Sequence, residues 1–174
     1  MKTFLLILSA FLLAARPALA IDPGMAKGTL QVGSTTVELT HAYALLHNPK
    51  ELRVLLADRE ALQSVIADSG HLPAVMARKG QLRGLLIQLD PNDTGYAVVT
   101  HLQPVVTSGG GAGVVRRLSI ANNRVLGEID SGASDASRPA YRATFSAPLF
   151  TNLNPGSTNP IQSPRIAPNP LNRP

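Results

Sequence analysis

The chain has no cysteine and no tryptophan, and its 174 residues include only three tyrosines and four phenylalanines. Without cysteine there is no disulfide framework, no thiolate nucleophile or metal ligand, and no attachment point for a lipid after a leader. So few aromatics exclude the stacking platforms of single-stranded nucleic-acid binders and the aromatic girdles of an outer-membrane barrel. The excess of Lys and Arg over Asp and Glu, 16 against 11, is spread along the chain without a basic block. That pattern is a solvated surface, and no nucleic-acid partner is expected. A long apolar run is also missing: the longest, Phe4 to Ala15, is about a dozen residues against roughly 20 needed to span a bilayer.

That run is short for a membrane anchor and right for a leader. Lys2 precedes it, and Ala18-Leu19-Ala20 follows as a small-residue cleavage site, so residues 1–20 read as a signal peptide. The mature chain then has no integral membrane segment, and its expected location is the periplasm or outside the cell. Removing Lys2 and Arg16 leaves a net charge near +3 in place of +5.

The clearest element is Gly28 to Leu46. Gly33-Ser34 suits a two-residue primed turn, because glycine supplies a positive φ at no steric cost. That turn sets Val32 opposite Thr35, Leu30 opposite Val37 and Gly28 opposite Leu39. Strict alternation then places Leu30, Val32, Val37, Leu39, His41, Tyr43 and Leu45 on one side of the sheet. The second strand ends near Pro49, which removes a ladder donor. A third runs from Glu51 to Ala57. Asp58 is expected to stop it and cap a helix whose apolar face is Ala61, Leu62, Val65 and Ile66. Pro73 suits the start of a second short helix closed by Gly80.

From Gln81 the period returns to two. Gln81 to Leu89 and Gly95 to Gln103 flank a turn at Asp90 to Thr94. Val114 to Ala121 and Arg124 to Asp130 flank Asn122-Asn123, setting Ile120 opposite Val125 and Arg117 opposite Glu128. A last strand covers Ala140 to Ala147. The fold class is therefore mainly β: a single antiparallel barrel or sandwich of about eight strands with a short helical insertion. Residues 21–27 read as a mobile lead and 28–150 as the β-rich domain. In 151–174, six of 24 residues are proline and five asparagine, which predicts a disordered tail that a shortened chain can lose without cost.

Three segments, Gly-Thr-Leu-x-Val from Gly28, Leu-Thr-His-Ala-Tyr-Ala from Leu39 and Leu-Leu-x-Asp-Arg from Leu55, carry a resemblance. They resemble the opening of a group of exported bacterial proteins of unknown function. The likeness covers Gly28 to Arg59 and, more faintly, Tyr141 to Pro148. It implies export, but no activity and no site residues.

Candidate chemistry is sparse. His41 and Tyr43 fall in phase with the core face, and His41, Tyr43 and His101 form the candidate ligand-binding set if they converge on a cavity. A buried polar pair with one hydrogen-bond partner each is the plainer account. No spacing typical of metal ligands is present, so neither a metal nor a cofactor is expected. Asp90 to Gly95 lacks the later ligands of a calcium loop and reads as a turn. Ser108 to Gly113, SGGGAG, leads into a strand with no following Lys-Ser/Thr and reads as a mobile loop. No GxSxG elbow or triad is offered; His41 is the sole candidate base. The expected function is an exported, non-catalytic binding or interaction domain of the cell envelope, its partner an unidentified protein or small molecule. The alternatives are a carrier of small apolar ligands built as a β-barrel and a hydrolase using His41.

Overall fold

The computed structural model describes residues 24–68, 71–132, 138–151 and 153. One sheet holds all its strands: β1 (Met25–Val32), β2 (Thr35–Asn48), β3 (Glu51–Ala57), β4 (Gly84–Asp90), β5 (Asp93–Leu102), β6 (Thr107–Ala112), β7 (Val115–Ala121), β8 (Arg124–Asp130) and β9 (Ala140–Phe150). Two short helices, α1 (Gln63–Ala67) and α2 (His71–Arg78), sit between β3 and β4. The order across the sheet is β6-β5-β4-β3-β2-β1-β9-β8-β7. All neighbours are antiparallel; past the start of β1, β9 also pairs directly with β2 in parallel through Ala44–Leu149 and Leu45–Phe150.

The sheet curls. His101 on β5 and Tyr141 on β9 are five strands apart in the order, about 24 Å if the sheet were flat, yet their rings lie 5.6 Å apart. The result is a half-barrel with one apolar interior, to which Leu30, Leu39, Val54, Leu56, Ile87 and Ile129 each contribute a fully buried side chain. A second cluster lies on the opposite face, where Ala61, Val65, Ile66 and Ala77 of the helical insertion cover Leu55 and Leu86. Each fully buried leucine or isoleucine is worth about 1.5–3 kcal/mol relative to exposure, so both faces of the central strands contribute to stability.

The turn-set registers are observed. Val32 pairs with Thr35, Leu30 with Val37 and Gly28 with Leu39, and Ile120 pairs with Val125 around Asn122 and Asn123, both at positive φ. Arg117 departs from its expected position. A bulge between Arg116 and Ser119 moves Arg116 opposite Glu128, and Arg117 takes a φ of 51°. Its guanidinium still reaches Glu128 at 3.0 Å.

Four expectations are corrected. Strand β1 starts at Met25, because Met25, Ala26 and Lys27 pair with Ser146, Phe145 and Thr144, so they are not a mobile lead. Asp58 caps no helix: α1 starts after Leu62, and the Asp58 carboxylate instead accepts the Arg83 backbone N–H at 3.0 Å, tying β3 to β4. Ser108 to Ala112 of the SGGGAG segment form, with Thr107, a strand, β6, paired with β5 from Tyr96–Ala112 to His101–Thr107. Finally, the alternation along β2 shifts between Leu39 and Ala42, beside the irregular pairing of Met25 to Gly28. Beyond it Ala42 and Ala44 face the interior while Tyr43 and Leu45 join the helix-side cluster. The expected leader, residues 1–20, lies outside the described residues, as does most of the expected tail. Thr151 is exposed, whereas Leu153 packs against the helix-side cluster.

Candidate functional site

The shift in β2 separates the sequence-predicted site residues. His41 is half-buried, and its Nδ1 lies 2.9 Å from the Thr40 hydroxyl. Because that hydroxyl donates to the Asp58 carbonyl at 3.2 Å, the network assigns the proton to His41 Nδ1. Tyr43 is buried on the helix face, its ring stacked 6.5 Å from that of His41, and its hydroxyl accepts the Ala61 N–H at 3.4 Å. Burial, partly offset by that hydrogen bond, holds its phenol above the ordinary range. Both residues are thus accounted for by local bonds. His101 is on the other face: it pairs with Thr107, in phase with Ala97 and Val99, and packs on Tyr141. The three residues do not converge.

His101 is only 7% exposed. Its Nδ1 lies 3.2 Å from the Thr107 carbonyl and 3.0 Å from the Thr107 hydroxyl. A carbonyl accepts only, so Nδ1 carries the proton and Nε2 is left as an acceptor. Nε2 is buried without a partner. Burial lowers the imidazole's pKa and the bond to Thr107 only partly restores it, so the ring is held neutral. With its proton given to the carbonyl, Nδ1 offers the Thr107 hydroxyl no base. This pair is not a nucleophile and its activator.

His101 lines a cavity of about 660 Å³ at the seam where the curled sheet leaves β6 short of β8 and β9. Its walls include Val105, Val114 and Tyr141, all six residues of β6, and Arg138. The space exists because side chains are missing. Gly109 pairs with Val99 and therefore faces the interior, where a larger residue would narrow the gap, whereas beside Gly111, which pairs with Ala97, Val114 already stands where a Cβ would be. A Cβ built on Gly109 meets nothing within 4 Å. Gly110 faces out and is covered by the Tyr96 ring, since a Cβ there would run into the Tyr96 hydroxyl. A neighbouring aromatic laid over a strand glycine restores part of the packing that the glycine gives up.

Sequence reasoning missed β6, Tyr141 and Arg138. Three successive glycines look like a loop, and the one signal against it was the β-forming Thr107 at the head of the run. Elsewhere the polar groups are structural. Arg53 is buried and bonds Glu51 at 2.7 Å and the Ala67 carbonyl at the end of α1 at 3.0 Å. Burial raises the pKa of the Asp58 carboxyl, but hydrogen bonds from Arg59, the Arg83 backbone and the Arg83 side chain outweigh it, and the net shift is downward. In the turn after β4 the Asp90 carboxylate accepts the Asn92 N–H at 2.8 Å, closing an Asx turn. Among the described residues no group of three or more His, Cys, Asp or Glu is placed to hold a metal, and no helix is long and apolar enough to cross a membrane.

Comparison with known proteins gives no matching family model, no matching curated protein and no matching solved structure.

Proposed function

We propose that the chain is an exported, non-catalytic binding domain of the cell envelope whose site is the seam cavity. The observation that carries this reading is the cavity itself, held open at Gly109 and lined by His101 and Tyr141. Glycine in a strand interior costs about 0.5–1 kcal/mol relative to alanine. A sheet serving only as a scaffold gains nothing from it. Its volume falls in the usual range for small-ligand sites, roughly 300–1,000 Å³.

The alternative of an apolar ligand inside a barrel has less support, because the interior is filled by fully buried side chains such as Leu39, Leu56 and Ile87. A hydrolase using His41 has less still, since its ring stacks on Tyr43 of the helix-side cluster, across the sheet from the cavity. Gly109→Leu tests the proposal. Small amphipathic molecules screened by ligand-observed NMR should bind the wild type and lose binding to the variant, with the β-sheet circular dichroism kept. Equal binding to both proteins puts the site elsewhere.

A further inference from the structure

Every residue of β6, Thr107 to Ala112, lines the cavity, whichever face of the sheet it points to. Three of the six are glycines, so the wall they supply is bare backbone and the cavity opens onto the backbone of β6. Among the described residues β6 pairs only with β5, and no other backbone hydrogen bond involves Thr107 to Ala112. The half of its N–H and C=O groups directed away from β5 is a ladder lacking its next strand.

Natural sheets protect such edges with charges, prolines or bulges. Strand β6 has none of these, and at about 3.3 Å per residue it offers roughly 20 Å of straight edge. Among the described residues the cavity walls contain Arg138 and no Asp or Glu; Asp130, next to the wall residue Ser131, is paired with Arg142 and acts on Arg116. Arg138 has no acidic partner among the described residues.

We infer that the edge of β6 binds an extended, acidic peptide segment of another protein by strand addition. The inference rests on the reading of the seam cavity as a binding site and names its occupant. The peptide main chain continues the ladder outward from β6. An apolar side chain enters the cavity between Val105, Val114 and Tyr141, and a carboxylate meets Arg138. Main-chain bonds of this kind supply affinity, while the pocket and the charge select the segment. A second copy of this chain fits less well, because pairing two β6 edges brings together two cationic seams.

The test uses the full chain and a synthetic seven-residue peptide that alternates valine with threonine and ends in aspartate with a free carboxylate. Four forms are compared by calorimetry: the parent, two N-methylated at alternate residues, one along each edge, and one with asparagine and an amide cap at its end. The parent should bind in the micromolar range. N-methylation of the edge facing β6 should weaken it at least about tenfold, and N-methylation of the other edge should not. The capped form should bind about tenfold more weakly than the parent, and Arg138→Glu should weaken the parent while leaving the capped form unchanged. Equal binding of all N-methylated forms overturns the strand-addition claim, and equal binding of parent and capped forms overturns the acidic preference. If small molecules still bind in a Gly109→Leu-sensitive way but no peptide binds at millimolar concentration, this inference fails and the cavity reading stands. If neither binds, both fail. Sedimentation showing a dimer that the parent peptide cannot displace also overturns it, in favour of a second copy.

Discussion

The two edges of this sheet are built in opposite ways. Strand β7 ends the sheet with Arg116 and Arg117 exposed, a bulge between Arg116 and Ser119, and a residue at a φ of 51° that bends the ladder out of line. Strand β6 ends it with a straight run of glycine and small residues opposite an unbroken partner, beside a cavity and a buried histidine. Bulges and charges prevent a strand from accepting another, and their confinement to one edge marks the other as the edge left open. An unfinished core does not account for the difference, since the central strands are filled on both faces.

The largest expected effect concerns the histidine behind the open edge. Its folded pKa is lowered by burial, so the unfolded chain takes up a proton near pH 6.5 before the native state does. Stability is therefore fully present above about pH 6.5 and falls as the pH drops below it, with a slope of at most about 1.4 kcal/mol per pH unit for one proton. Asp58, whose pKa is lowered, should lose its contribution only below about pH 4. Chemical denaturation between pH 7.5 and 5 measures the slope, and His101→Gln should remove most of it. An unchanged slope in that variant means that His101 is not held neutral by the fold.

At the closed edge, Asn123 holds the β7–β8 turn at a φ of 55°. Asn123→Val should destabilise by about 1–2 kcal/mol, the cost of forcing a branched side chain into the left-handed region. Asn123→Gly should change stability little. Melting temperatures of the two variants check this, and similar values for both would remove the turn as a determinant of that edge.

Gly109→Val should go the other way and stabilise the chain by about 0.5–1 kcal/mol, because it replaces a strand glycine where its Cβ has open space. A loss of stability in urea titrations would show that the gap is needed for folding and not for a ligand. The smallest effect belongs to the exposed Arg117–Glu128 pair. Arg117→Asn keeps a residue that tolerates positive φ and should shift stability by less than about 0.5 kcal/mol.

Where turn chemistry acts locally, the sequence shows the structure. Gly33-Ser34 and Asn122-Asn123 set the registers of their hairpins residue by residue, and the helical insertion falls where the apolar period changes. The phase of β2 past Leu39 was not legible, because its shift depends on β1 lying between β2 and β9, with β9 coming from the far end of the chain. That single shift moved His41 and Tyr43 off the interior face. The cavity was hidden for a related reason. It is made from side chains that glycine does not have, and from the approach of His101 to Tyr141, which only the curl of the whole sheet brings about.

Amide hydrogen exchange, read residue by residue with and without the parent peptide, compares the two edges directly. In the free protein the outward amides of β6 should exchange fast, as should those of β7. Saturating peptide should slow the amides of Thr107 to Ala112 and leave those of Val115 to Ala121 unchanged. Protection confined to β7, to the helix-covered face or to no strand would contradict the assignment of the open edge as the binding site.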